Sequence, residues 1–77
     1  MISPGTILLE DHIIPTGLDI KELSFQLGMY HWDLESIIKG DKQITPEIAI
    51  IFACAFGTTS LYWMSLQREY NKLRIVK

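Results

Sequence analysis

The stretch that decides the fold is residues 18–40, LDIKELSFQLGMYHWDLESIIKG. Leu23 and Leu27 lie four residues apart, so they share one face of a helix. Gly28 follows, where a chain leaving a helix commonly takes the left-handed conformation. The apolar residues of the next segment also share one face: Leu34, Ile37 and Ile38. The pattern predicts a helix-turn-helix at about residues 19–39, a motif whose second helix usually enters the major groove of DNA.

Capping residues and helix stops predict three further helices around this motif. Ser3 and Pro4 suit the start of a first helix, and Thr45 with Pro46 suits the start of a fourth. Asp19 is a good N-cap for the second helix. We therefore expect a single all-α domain over residues 1–77, with helices over residues 3–14, 19–27, 30–39, from Thr45 to Gly57, and 60–72.

The last two helices carry most of the apolar residues. The fourth reads IAIIFACAF and is apolar almost all round, which predicts the central helix of the core, with Cys54 as a small buried residue. The fifth has apolar residues on more than one face, which predicts a homodimer contact. The candidate dimer residues are Leu61, Trp63, Met64, Tyr70, Leu73, Ile75 and Val76.

The charge is distributed unevenly along the 77 residues, whose net charge is −2. Residues 1–47 carry eight acidic and three basic residues, whereas residues 48–77 carry one acidic and four basic residues. A chain that binds nucleic acid is usually basic, so the acidic first part weighs against DNA and in favour of a protein partner. One cysteine gives no disulfide framework, and no apolar run reaches the roughly 20 residues of a membrane span. We expect a cytoplasmic protein.

The sequence offers no catalytic, metal or cofactor site. His12 and His31 are the only histidines, and neither has metal-ligand spacing to Cys54 or to the other. We expect both at the surface. The glycines are scattered as helix stops, and none forms a loop that would cradle a phosphate. An enzyme is therefore not expected.

Four stretches together resemble HigA-type antitoxins, a branch of the Cro/C1-type (XRE) helix-turn-helix regulators. They are SPGTILLE, GLDIKELSFQLGM, IIKGDKQITPEIA and AFGTTSLYWMSLQREY, which cover nearly the whole chain. The resemblance implies a five-helix, lambda-repressor-like domain that is usually dimeric and binds double-stranded operator DNA. It also implies repression of the chain's own operon and pairing with a ribosome-dependent ribonuclease toxin.

The chain departs from this family at the positions that meet DNA. Ile20 stands where the family often has Gln, Glu35 stands where it often has a polar or basic residue, and Tyr30 to Asp33 replace Ser, Arg, Ser and Thr. An acid is not excluded there, because Glu can accept a hydrogen bond from cytosine N4. The candidate DNA-binding residues are Lys21, Tyr30, His31, Trp32, Glu35, Ser36, Lys39, Lys42 and Thr45.

Trp32 has three interpretations. It could contact a base edge or a thymine methyl group, or form a protein-binding patch beside Tyr30. The interpretation we favour from sequence is that it folds back on the second helix and is partly buried. Two functions follow for the chain: an operator-binding repressor, or a degenerate helix-turn-helix that binds a toxin or another regulator without contacting DNA.

Overall fold

The computed structural model describes residues 3–75, with side chains over residues 3–73, and all of its regular structure there is helical. The first helix, α1, covers Pro4–Ile7 and continues through a π-helical segment, Leu8–Ile13, into a 3₁₀ turn, Ile14–Thr16. The other helices are α2 (Ile20–Leu27), α3 (His31–Lys39), α4 (Pro46–Phe56) and α5 (Ser60–Ile75). The predicted all-α, five-helix fold is confirmed, with α5 three residues longer than expected.

Local hydrogen bonds start the helices as the sequence predicts. The Ser3 side chain accepts from the Thr6 N–H, Asp19 Oδ1 accepts from the Glu22 N–H at 2.8 Å, and Thr45 Oγ1 accepts from the Ile48 N–H at 3.3 Å. Each cap satisfies a backbone donor that has no partner within its own helix. Tyr30 occupies the N-cap of α3 and makes no such side-chain bond.

A glycine ends each of the two helices of the helix-turn-helix. Gly28 has a φ of 71° and Gly40 a φ of 88°, values that glycine adopts without the steric cost of a Cβ. After Gly28, the Met29 N–H donates to the Ser24 carbonyl at 3.0 Å. This closes α2 and turns the chain directly into α3.

The core is built around Trp63, whose side chain is 0% exposed. Its ring lies 5.1 Å from that of Phe52, and its Nε1–H donates to Thr58 Oγ1 at 2.7 Å. The prediction that Trp63 lies at a dimer interface is wrong, because its own chain buries it completely. The other buried apolar residues are Leu8, Ile13, Leu23, Leu34, Ile37, Ile44, Ala49 and Phe52.

The first helix crosses the third at Gly5. A Cβ placed on Gly5 would collide with the Ile37 carbonyl oxygen and would lie 2.6 Å from that of Ile38. No other residue type allows two backbones to approach this closely. The contact fixes α3 against the core from the side opposite to its outer face.

Two predictions about burial are wrong. The fourth helix buries Ala49 and Phe52, but Ile50 and Cys54 are exposed, because α4 packs against α2 and α5 and leaves one face to solvent. His12 does not lie free at the surface. Its ring centroid is 4.8 Å from that of Trp63, and its Nε2 atom is buried without a hydrogen-bond partner. Packing among aromatic rings draws this imidazole inward.

None of the helices in residues 3–75 is both long enough and apolar enough to cross a membrane.

Candidate nucleic-acid interface

The helix-turn-helix packs through its predicted apolar residues. Leu23 of α2 and Leu34 and Ile37 of α3 are buried in the common core. Ser24, 4% exposed, donates from Oγ to the Lys21 carbonyl at 2.9 Å, which keeps the hydroxyl satisfied. Because α3 buries this one face, its opposite side is open. The predicted DNA-binding residues that lie there or at its start are Tyr30, His31, Trp32, Glu35, Ser36 and Lys39.

An aromatic stack begins the third helix. The rings of Tyr30 and Trp32 lie 4.5 Å apart with an interplanar angle of 9°, and the side chains are 65% and 55% exposed. The prediction that Trp32 folds back on the second helix is therefore wrong. Stacking on Tyr30 gives Trp32 a local partner, an interaction of about 0.5–1.5 kcal/mol, and leaves both rings accessible.

His31 and Glu35 form a pair one helical turn apart. The imidazole Nδ1 donates to Glu35 Oε1 at 3.2 Å, and both side chains are less than half exposed. The edge of the same imidazole meets Trp32, with ring centroids 5.2 Å apart and an interplanar angle of 72°. His31 and Glu35, two of the predicted DNA-binding residues, are thus held in place by neighbours on the same helix.

The loop after α3 carries Lys42 and is tied to the rest of the fold at both ends. The Lys42 N–H donates to the Ser36 carbonyl at 3.2 Å, and Lys42 Nζ lies 3.3 Å from Asp33 Oδ1. Further along, the Ile44 N–H donates to the Oε1 of Gln67 on α5 at 2.9 Å. These contacts set the position of Lys42 relative to α3.

Gln67 is a positioning residue that we did not predict. It is 5% exposed, and its Nε2 donates to Asn71 Oδ1 at 3.0 Å, so both ends of the amide are used. The available signal is weak: a polar residue within the apolar pattern of the fifth helix. Only the folded chain brings Gln67 to Ile44, which lies 23 residues earlier.

Phe25 is the second residue that we did not predict. It is 86% exposed and lines a shallow hollow at the turn together with Gly28, Met29 and Tyr30. The signal was present in the sequence, because Phe25 lies two residues after buried Leu23 and so points to the opposite side of α2. The exposed aromatic surface therefore extends from Trp32 across the turn.

The remaining predicted DNA contacts take no part in the aromatic stack or in the hollow at the turn. Lys21, Lys39 and Thr45 are exposed, and the Thr45 hydroxyl already caps α4. Within residues 3–73, no group of three or more His, Cys, Asp or Glu residues is arranged to hold a metal ion.

The predicted dimer residues divide into four groups. Leu61 and Leu73 are exposed, whereas Met64 and Tyr70 are half-buried. Trp63 belongs to the core. The side chains of Ile75 and Val76 lie outside those that the structure describes. Among the described side chains of α5, the exposed large apolar ones are therefore Leu61, Tyr62 and Leu73.

Solved structures share this arrangement of helices. PA4674 from Pseudomonas aeruginosa, in complex with its 18-bp operator DNA, matches 97% of this chain over 81% of its own, with 25% identity and a TM-score of 0.92. An addiction module antidote protein of a HigA family from Coxiella burnetii is 31% identical, matching 91% of this chain and 76% of its own at a TM-score of 0.84. The chain belongs to the HigA-type helix-turn-helix family.

Curated relatives agree with this assignment. An uncharacterised helix-turn-helix transcriptional regulator of Escherichia coli K12, YbaQ, is 34% identical over 65 residues, which is 84% of this chain. The match spans 58% of the length of YbaQ. No protein-family model matches the chain. The relatives are described as regulators and antidotes rather than as enzymes.

Proposed function

We propose that this HigA-type chain is a transcriptional repressor that binds operator DNA through α3. The observation that carries the proposal is its match, at a TM-score of 0.92, to a protein solved on its operator, together with the open face of α3. In this role the chain needs no cofactor, catalyses no reaction and works in the cytoplasm, where it meets DNA. The residues of this chain that would contact DNA are assigned from its own side chains.

Phosphate contacts are assigned to the basic residues around the recognition helix. Lys21 lies on α2, Lys39 is the last residue of α3 and Lys42 lies in the loop that follows. Thr45 stands at the amino end of α4, where backbone N–H groups favour an anion. Affinity for DNA comes largely from neutralising phosphates. Because only three lysines are available to contact phosphates, we expect a modest affinity. The slope of log affinity against log salt should be shallow, since each phosphate contact contributes about −0.9.

The test is a titration of the purified chain against its own promoter DNA and a scrambled duplex, at low and moderate salt. We expect a shift that is selective for the promoter. Lys39→Gln should weaken binding to both duplexes and reduce the slope of log affinity against log salt by about 1. Lys72→Gln, on the exposed end of α5, should change neither the affinity nor this slope. Equal binding of wild-type chain to promoter and scrambled DNA would reject the proposal.

The proposed repressor acts as a homodimer through α5. Leu61, Tyr62 and Leu73 supply exposed apolar surface on that helix, and Met64 and Tyr70 lie at its half-buried edges. Two copies related by a two-fold axis would place their α3 helices roughly 34 Å apart, one turn of DNA. The expected operator is therefore a pair of inverted half-sites with that spacing.

The second candidate function is binding of a protein partner, such as a ribonuclease toxin, through the helix-turn-helix surface. The exposed rings of Phe25, Tyr30 and Trp32 favour it, because aromatic residues are enriched where proteins meet. Co-purification of a toxin encoded beside this gene, lost on Trp32→Ala and retained on Leu61→Ala, would support it. If the toxin still co-purifies with the Trp32→Ala chain, its binding site lies outside the helix-turn-helix surface.

A further inference from the structure

Three consecutive contacts order four side chains at the start of α3. Tyr30 stacks on Trp32 at 4.5 Å, the ring of Trp32 meets His31 at 5.2 Å, and His31 Nδ1 holds Glu35 Oε1 at 3.2 Å. The array therefore ends on a carboxylate. Glu35 retains 43% of its side-chain exposure, so its outer oxygen remains accessible on the open face of the helix.

These contacts reduce the conformational entropy that Glu35 loses when it binds a base. A free glutamate side chain loses rotamer freedom when it is immobilised by a ligand, and this loss opposes binding. Here the imidazole has already selected one arrangement, and the aromatic pair supports the imidazole. A functional group held in this way makes a more selective contact than a mobile one.

The chemistry of an ionised carboxylate limits what it can read. It only accepts hydrogen bonds, and the major groove offers base donors at cytosine N4 and adenine N6 alone. In adenine the acceptor N7 stands beside N6 and would repel the carboxylate, whereas the cytosine ring presents no acceptor next to N4 in this groove. Cytosine is therefore the better partner.

We infer that Glu35, positioned by His31, reads one cytosine in each half-site of the operator. The inference rests on the proposed function and deepens it by naming the base. Glu35 is the contacting residue, and His31 is a positioning residue that acts through it. The cost of an acid close to phosphates makes the contact selective, because DNA without a donor at that position meets an unpaired charge.

The experiment is selection of duplexes from a randomised pool by the full chain, with wild type, Glu35→Gln and Glu22→Gln compared side by side. Glu22→Gln is the matched control, since it removes the same charge from the exposed face of α2. Wild-type chain should enrich cytosine at one position per half-site, on the order of tenfold over other bases. Glu35→Gln should change that position to adenine, which glutamine contacts at N6 and N7.

Three outcomes separate the claims. A change confined to Glu35→Gln at that one position supports the assignment. Identical preferences in wild type and Glu35→Gln would overturn it while leaving the chain a DNA-binding protein. Enrichment of no sequence by the wild-type chain would overturn the proposed function, and the base assignment with it.

Discussion

Asp33 of α3 and Lys42 of the following loop form an ion pair, with 3.3 Å between Lys42 Nζ and Asp33 Oδ1. Both side chains are more than a third exposed, so solvent screens the pair and its contribution to folding is at most about 1 kcal/mol. We expect its larger effect on the proposed binding of DNA. Asp33 neutralises one of the three lysines to which we assign phosphate contacts.

Asp33→Asn should therefore raise affinity for promoter DNA. The change removes a negative charge near the phosphates and releases Lys42 to contact one. We expect binding about threefold to tenfold tighter at low salt and a salt slope steeper by about 0.9, measured by fluorescence anisotropy over a salt series. Asp41→Asn is the control, because Asp41 adjoins Lys42 in sequence and forms no ion pair within residues 3–73. Equal gains from the two variants would show that Lys42 is not restrained by Asp33.

Gly5→Ala should destabilise the fold, although alanine normally favours a helix by about 0.5–1 kcal/mol over glycine. The added Cβ would collide with the carbonyl oxygen of Ile37, which cannot move without displacing α3. We expect the free energy of unfolding in urea to fall by about 1–3 kcal/mol. Gln26→Ala, at an exposed position of α2, should stay within about 0.5 kcal/mol. A stabilised Gly5→Ala chain would mean that α1 and α3 cross less closely.

Gln67→Leu should loosen the loop that carries Lys42. The change leaves the buried N–H of Ile44 without its acceptor, at a cost of about 1–3 kcal/mol of folding free energy. Hydrogen exchange at the Ile44 amide should accelerate beyond the change expected from global stability, and DNA affinity should fall. Gln43→Leu, an exposed change in the same loop, should leave the Ile44 amide protected. An unchanged exchange rate in Gln67→Leu would argue against this role for Gln67.

Leu61→Ser and Leu73→Ser should each weaken the proposed dimer without unfolding the chain, because both side chains are exposed in the single chain. Sedimentation at tens of micromolar protein should show a shift toward monomer, with operator affinity lowered in parallel. Phe25→Ser removes a more exposed apolar side chain far from α5 in sequence, and should leave the dimer intact. Dissociation by Phe25→Ser, and not by the leucine changes, would move the interface to the helix-turn-helix.

The features that sequence predicted well are those that neighbouring residues determine. The caps at Ser3, Asp19 and Thr45 need only a side-chain oxygen and an N–H three residues later, so spacing reveals them. Gly28 is similar, because the left-handed turn after α2 requires little beyond the glycine itself. Family resemblance supplied the lambda-repressor-like packing of the five helices, which local signals alone leave open.

The features that sequence did not predict depend on contacts between distant residues. His12 is drawn to Trp63, which lies 51 positions later in the sequence, and no neighbour of either residue indicates it. Cys54 looks like a core residue in its apolar run, yet it lies on the face of α4 that no other helix covers. For Trp32 the difficulty was a choice between two nearby partners, and packing favoured Tyr30 over α2.

The start of α3 has a consequence for motion. Side-chain oxygens cap the other four helices of the described residues, including α5, where Thr59 Oγ1 accepts from the Tyr62 N–H at 3.1 Å, but Tyr30 offers α3 none. An uncapped first turn opens more readily than a capped one. At its amino end α3 therefore depends on the stack of Tyr30 on Trp32 and on the His31–Glu35 pair to keep its first turn closed, while Gly40 closes its carboxyl end. Any ligand that binds this end shifts the first turn toward the closed state, and its affinity is lowered by the free energy that this closing costs.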